Sequence, residues 1–339
     1  GGISRYYSEI LSRLDKYIQD MDVILHVHPN SLAEIPDAKY IHHVRGVNLR
    51  PRRIFGSINE YLLKRKISIL EPKIFHSTYY TLPYWPEMKS VVTVYDFIDE
   101  KYPEMSGNPP SLSVQKQKCI VEADIVVAIS RSTKDDILKY TDVDSSKIVV
   151  IHLGVSNAFR NNLPTEQEIL AFRQKQELGQ PYWLYVGNRG RGALYKNFGL
   201  LLRALPDVLP KTDGYLLAAG GNSCLQPWQA DLLIRNRIEQ RVRLLPQICD
   251  FDLKVAYAGA AAFIFPSLAE GFGIPLLEAM ASGTPVLASD IPVFREVAGD
   301  AALYFDPHDE TDLAELMMRV LDRDLRNSLV QKGFERVNK

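Results

Sequence analysis

Ile3, Tyr6, Tyr7, Ile10, Leu11, Leu14, Tyr17 and Ile18 recur at the i, i+3, i+4, i+7 spacing of an amphipathic helix. The pattern then changes period. Short runs rich in apolar and β-branched residues at 23–28, 39–44, 73–76, 90–95, 124–129 and 147–151 read as strands, with helical periodicity at 57–67, 112–122 and 131–140 between several of them. Near-continuous apolar strands alternating with helices predict a mostly parallel sheet covered on both faces. Residues 156–164 hold three asparagines, a proline and little apolar content, and this break predicts an interdomain linker. A second series follows, with strands at 182–186, 214–219, 241–245, 261–265, 285–289 and 301–305. Its helices are predicted at 198–208, 227–239, 252–258, 275–281, 293–298, 312–321 and 325–336. The fold class is therefore α/β, with two doubly wound domains, 1–160 and 161–339, facing a cleft at the carboxyl ends of their strands. Two domains around one cleft suggest two substrates.

Composition changes this picture little and narrows it by exclusion. With 46% hydrophobic and 24% charged residues in 339, and 20 Gly and 20 Pro, disordered and collagen-like classes drop out. Cys119, Cys224 and Cys249 are too few and too scattered for a disulfide framework or a zinc site, which points to a reducing cytoplasm. No apolar run of about 18 residues and no basic-then-apolar leader occurs, so neither a membrane span nor a signal peptide is expected. A formal charge of −1 argues against nucleic acid as a partner.

The chemistry concentrates in two turns of the second series. Residues 266–278, Pro-Ser-Leu-Ala-Glu-Gly-Phe-Gly-Ile-Pro-Leu-Leu-Glu, follow a buried strand, pass a Gly-Phe-Gly turn and open a helix with Pro275 in its first turn. Gly271 and Gly273 let the backbone approach a ligand, and the amides opening the helix suit anionic oxygens. Glu270 and Glu278 bracket that anion site, and carboxylates accept from hydroxyls. Phosphates in the middle and hydroxyl-rich sugars at both ends describe a nucleotide-sugar. The plainer alternative makes Glu278 a first-turn carboxylate favoured by the helix dipole. The other turn, 185–197, carries three glycines with Arg189, Arg191 and Lys196 after the strand at 182–186, and fits a diphosphate clamp. It matches neither G-x-G-x-x-G nor a Walker sequence, and its plain reading is a solvated basic loop.

The stretch from Glu270 to Glu278 resembles the Glu-(seven residues)-Glu motif of retaining GT-B glycosyltransferases of family four. The run Ala281-Ser-Gly-Thr-Pro-Val-Leu-Ala-Ser-Asp-Ile-Pro-Val-Phe-Arg-Glu296 continues the likeness, as do Gly1-Gly2-Ile-Ser-Arg-Tyr, Phe75-His-Ser-Thr-Tyr, Ala128-Ile-Ser-Arg-Ser and Ile151-His-Leu-Gly. Order and spacing across the chain make the likeness specific. It implies a GT-B fold of two Rossmann-like domains, with the nucleotide-sugar donor on the carboxyl-terminal domain and a saccharide or lipid-linked acceptor on the amino-terminal one. By the same resemblance Glu270 holds the transferred sugar, Glu278 the ribose, and Arg189 or Arg191 with Lys196 the diphosphate. The amides of Phe272, Gly273 and Ile274 assist, and Gly1 and Gly2 approach the donor phosphates. Retention through a front-face route needs no side-chain base, no metal ion and no cofactor. The nearest-looking relatives include mannosyltransferases, which tilts the expectation toward GDP-mannose and surface polysaccharide assembly.

One departure stands out. Many relatives carry His-Asp where this chain has Tyr95-Asp96, which puts a sugar contact in doubt; with His76 these mark the acceptor side. Tyrosine is a poor proton shuttle at neutral pH. Two other classes stay open: a non-hydrolysing nucleotide-sugar epimerase, and a catalytically silent nucleotide-sugar binder. His26, His28, His42 and His43 lack metal-ligand spacings and read as structural. The four Asp-x-Asp pairs, at 20/22, 142/144, 250/252 and 322/324, read as noise, and Ser132-Thr-Lys-Asp135 as a capping box. Between 45 and 73, eight basic residues against Glu60 and Glu71 leave a net +6, interleaved with Ile54, Phe55, Tyr61, Leu62 and Leu63. That surface is either a solvated face or one that docks the protein peripherally on the inner, anionic face of a membrane. Gly1-Gly2 reads as the turn after a first strand absent from the chain, and a closing helix is expected beyond Lys339.

Overall fold

The structure, a computed structural model, describes residues 2–14, 23–26, 41–44, 52–106 and 108–339. Its strands are β1 (Val23–His26), β2 (Ile41–Val44), β3 (Ile74–Ser77), β4 (Lys89–Val94), β5 (Ile125–Ala128), β6 (Ile148–Val150), β7 (Tyr182–Val186), β8 (Tyr215–Ala219), β9 (Val242–Leu245), β10 (Ala262–Phe265), β11 (Val286–Ser289) and β12 (Ala302–Phe305). All pairings among them are parallel. Two compact units result, the first from Gly1–Tyr95, Val114–Ala128 and Tyr140–Val150, the second from Asp96–Ser113, Ile129–Lys139 and Ile151–Lys339. The segments at 96–113 and 129–139 thus belong to the second unit although they precede residue 160 in sequence.

The first unit holds the four-stranded sheet β3-β4-β5-β6, and β1 pairs with β2 in a separate two-stranded sheet among the described residues. Val92, Val94, Val126 and Ala128 have no exposed surface, which is why these runs show no polar alternation. The second unit holds a six-stranded sheet in the order β12-β11-β10-β7-β8-β9. Counted within the unit, that is the 3-2-1-4-5-6 order of a Rossmann sheet. Helix Phe198–Thr212 covers one face, burying Leu200, Leu201, Leu205 and Leu209 beside Trp183 and Leu216. It runs through Pro206 and Pro210, past the expected stop at 208.

Two expectations need correcting. Residues 156–164 are not a bare linker: Ser156 caps a short helix, Asn157–Arg160, whose Phe159 is fully buried against Tyr257 at 6.1 Å. Lys254 also donates to the Asn161 carbonyl. One aromatic anchor outweighs the polar composition. Helix Glu166–Lys175 stands where the sequence pattern predicts no element, although Thr165 and Glu168 form a capping box that announces it.

Candidate functional site

In a sheet of this order the chain leaves β7 toward β8 and leaves β10 toward β11 on the opposite side, so a crevice opens outside the carboxyl ends of these two neighbours. Both sequence-predicted turns emerge there. They touch: Leu268 N–H donates to the Tyr195 carbonyl at 2.8 Å. Lys196 ends a short 3-10 turn, Arg191–Lys196, which Asn197 closes in a left-handed conformation (φ 54°) with its amide bonded to the Pro307 carbonyl.

Lys196 Nζ lies 2.5 Å from Glu270 Oε1, and Ser267 Oγ donates to the same oxygen at 2.8 Å. The side chains keep 20% and 11% of their surface, so the pair is shielded but reachable. The ammonium also lies over the rings of Tyr195 and Phe265, at 5.3 and 5.5 Å. Phe265 in turn stacks on Phe294 at 4.7 Å. A cation held by one carboxylate oxygen and two aromatic faces can exchange that carboxylate for a phosphate at little cost in position. Tyr195, desolvated and near Glu270, Asp96 and Asp99, has its pKa raised and stays a neutral phenol.

Beyond Glu270 the backbone turns at Gly273, whose φ of 99° suits glycine; a Cβ there would approach Phe294 to 3.0 Å. Helix Ile274–Ala281 starts at once, with Pro in its first turn and no side chain capping it. Among the described residues no acceptor takes the N–H of Phe272 or of Gly273. The Gly271 carbonyl is held from behind by Ser130 Oγ at 2.8 Å and Thr133 Oγ1 at 3.1 Å.

Those hydroxyls belong to the start of helix Arg131–Tyr140, two residues earlier than the capping box expected at Ser132. Ser130 is the cap, accepting from Thr133 N–H at 2.9 Å. Glu296 accepts the next two free amides, Arg131 N–H at 2.7 Å and Ser132 N–H at 3.1 Å. His152 Nε2 meets the same carboxylate at 2.7 Å, and its ring lies 5.8 Å from that of Phe272. Ser130, Thr133, His152 and Glu296 received no role from the sequence; all four lie inside quoted motifs, and their convergence was the missing information.

Two assignments change. Glu278 belongs to the second turn of its helix, so the helix-dipole reading fails; it is 5% exposed and accepts from Tyr257 OH at 3.3 Å. Arg189 turns inward, 5% exposed, donating from Nη1 to the carbonyls of Ala218, at 3.1 Å, and Gly220, and from Nη2 to that of Asn222. Burial lowers its pKa. The guanidinium fork thus ties together three backbone carbonyls at and just beyond the end of β8. Gly221 makes this possible, since a Cβ there would meet Arg189 N at 2.8 Å. The Arg191 side chain and Gly1 lie outside the described residues, and Gly2 opens helix Gly2–Leu14.

The first unit gathers a different set at the ends of β3 and β4. Tyr95 is buried, donates to the Thr78 carbonyl at 3.4 Å and meets the Tyr6 ring edge-on at 6.1 Å. Burial raises its pKa far above the ordinary phenol value. His76 Nε2 lies 2.8 Å from Thr93 Oγ1 and its ring 6.1 Å from Tyr7; it keeps solvent access, yet the crowding of its ring lowers its pKa. Asp96 Oδ1 accepts from Ile98 N–H at 3.1 Å, a local turn in the second unit.

Of the basic stretch, residues 45–51 and the side chains at 52–60 lie outside the described residues. On helix Arg52–Leu70, Tyr61 and Ile69 are about two-thirds exposed, Lys64 and Arg65 are exposed, and Leu63 is buried. No described helix is long and apolar enough to cross a membrane. Asp144 and Asp322 are helix caps, and Asp250 and Asp252 lie in a first helical turn. Asp20 and Asp22 lie outside the described residues, as does His28. Among the described residues no three His, Cys, Asp or Glu side chains group as metal ligands.

A Rossmann sheet with a Lys–Glu pair and unclaimed amides at its switch point, in a chain whose other unit is also built on parallel strands, has the architecture of a GT-B glycosyltransferase. Over its full length the chain resembles a glycosyltransferase from Rickettsia africae, with a TM-score of 0.78 over 90% of that chain; at 19% identity the likeness is one of fold. The chain belongs to the glycosyltransferases: glycosyl transferases group 1 matches residues 166–336, and glycosyltransferase family 4 matches residues 1–159. Among curated proteins it is 31% identical to the O-antigen chain mannosyltransferase RfbU of Salmonella typhimurium, over 77% of this chain and 69% of that one. It is 28% identical to O-antigen chain mannosyltransferase B of Escherichia coli, over 95% and 87%.

Proposed function

We propose that this glycosyltransferase moves a hexose, with mannose from GDP-mannose the favoured donor, to a saccharide or lipid-linked acceptor with retention of configuration and without a metal ion. The observation that carries the reading is the Lys196–Glu270–Ser267 group at the switch point between β7 and β10. Diphosphate oxygens take the Lys196 ammonium and the amides of Phe272 and Gly273, as anions do at helix starts. Glu270, released from Lys196, accepts from hydroxyls of the sugar. Glu278 serves the ribose, and its bond from Tyr257 fixes the carboxylate. Since Arg189 is committed to backbone carbonyls, the second clamp cation is Arg191.

In the reaction the bond from the anomeric carbon to the leaving phosphate oxygen breaks, and the acceptor oxygen bonds to that carbon on the same face. The acceptor proton passes to the departing phosphate oxygen. Negative charge grows on the diphosphate, so fixed donors around it supply the main catalytic effect, each worth about 2.7–4 kcal/mol by comparison with oxyanion-hole donors. The amino-terminal domain takes the acceptor, and His76, Tyr95 and Asp96 mark the acceptor side. The names of the mannosyltransferase relatives support a role in O-antigen or other surface polysaccharide assembly. Exposed Tyr61, Lys64, Arg65 and Ile69 support peripheral docking on anionic lipid from the cytoplasmic side.

Incubation with UDP-, GDP- and ADP-sugars tests the reading. GDP release from GDP-mannose, accelerated by a saccharide acceptor and yielding an α-linked product, is expected. An epimerised donor, or binding without turnover, overturns it.

A further inference from the structure

The Gly271–Phe272 peptide is trans, so its carbonyl and its N–H point in opposite directions. The carbonyl points into a fully enclosed pair of hydroxyls, Ser130 at 0% and Thr133 at 1% exposure. Its N–H therefore points away from them, and among the described residues nothing accepts it. We propose that Ser130 and Thr133 are positioning residues: by gripping the Gly271 carbonyl they set the direction of the Phe272 amide that receives charge from the donor. The inference rests on the donor-site reading above.

Glycines on both sides of Phe272 would otherwise leave this peptide free to rotate. A flipped peptide would present a carbonyl oxygen where the leaving diphosphate needs a donor. Proton counting shows that the grip has a reserve. Thr133 N–H already donates to Ser130 Oγ, and each hydroxyl has one proton. Either both hydroxyls donate to Gly271, or Ser130 donates to Thr133 at 3.0 Å and Thr133 to Gly271. Each arrangement leaves the carbonyl at least one strong, dry hydrogen bond, so either hydroxyl alone suffices. Glu296 keeps the platform still by holding the two amides that follow Ser130, and His152 holds Glu296.

The test is a set of variants: Ser130→Ala, Thr133→Val, both together, and the hydroxyl-preserving Ser130→Thr with Thr133→Ser. Each is assayed for GDP release from GDP-mannose, or from whichever UDP-, GDP- or ADP-sugar turns over, with kcat and the acceptor KM resolved and the melting point measured. The single variants are expected within about fivefold of the parent, and the Ala/Val double to lose about 10²-fold in kcat, the scale of one lost oxyanion donor. Acceptor KM and the hydroxyl-preserving pair should remain at parent values. If the Ala/Val double does not fold, Ser130→Gly with Thr133→Val replaces it, because glycine is a tolerated cap. A double variant within threefold of the parent kcat overturns the inference, and so does an equal loss in the hydroxyl-preserving pair. Glu270→Ala, run alongside, separates the two ideas: if it kills turnover while the double is unaffected, only this inference fails; if it is near normal, the donor-site reading fails with it.

Discussion

The two units place side chains of opposite character at the carboxyl ends of their parallel strands. In the second unit Lys196, Glu270 and Ser267 are wired to one another, and the cation is held by groups that a ligand can replace. In the first, Tyr95 and Tyr7 donate to the backbone carbonyls of Thr78 and Ser77, His76 bonds Thr93, and the shifts of Tyr95 and His76 both favour the neutral form. One corner manages charge and the other presents uncharged shape. In the reaction proposed above, departure of a diphosphate calls for managed charge, while an incoming hydroxyl needs only placement.

The largest expected effect falls on the charged corner. Glu270→Ala removes the acceptor of both Lys196 and Ser267, and transfer should drop by about 10²–10³-fold, as when one preorganised polar group is lost. Circular dichroism and the melting point should stay near the parent values. Turnover within threefold of normal would erase the contrast between the corners. Next comes Arg189→Ala, which removes the guanidinium donors of the Ala218, Gly220 and Asn222 carbonyls and should cost about 1–3 kcal/mol of stability by urea unfolding. A stable variant with weakened nucleotide binding would instead return Arg189 to the diphosphate.

Much of this was legible in the sequence, and the shortfalls have physical causes. The six strands of the second sheet and the Gly-Phe-Gly turn follow from periodicity and glycine placement, which are local, whereas the contact of Lys196 with Glu270 spans 74 residues. The inward turn of Arg189 was not legible, because it depends on carbonyls about 30 residues away that only the folded β7–β8 pair brings beside it. The grip on Gly271 spans about 140 residues and no local pattern encodes it. The tyrosine in place of a histidine is visible in the sequence, but only the packing of Tyr6 and Thr78 around it shows how it is accommodated.

The uncharged corner predicts smaller effects. Tyr95→Phe keeps the ring packing and loses one long hydrogen bond, so stability should fall by less than about 1.5 kcal/mol. Transfer should change by under threefold. A large loss in kcat with a shifted pH profile would make the Tyr95 hydroxyl a participant, and the two corners would no longer differ in kind.

The smallest effect concerns the base of the same sheet, where a charge does appear. Asp124 accepts from Ser90 N–H and Ser90 Oγ, both at 2.9 Å, and from Lys89 at 3.0 Å. The Ser90 bonds and Lys89 hold its pKa at about 2. A carboxylate depressed in the folded state stabilises fully above its unfolded pKa and loses that contribution as pH falls through the folded value. Its side chain is 37% exposed, so solvent screening limits the gain to less than about 1 kcal/mol. The difference in urea midpoint between the parent and Asp124→Asn should be constant from pH 7 to 5 and shrink progressively toward pH 2. Were it to grow on acidification, Asp124 would be stabilising as the neutral acid, and the Ser90 and Lys89 bonds would not be what ties β4 to the start of β5.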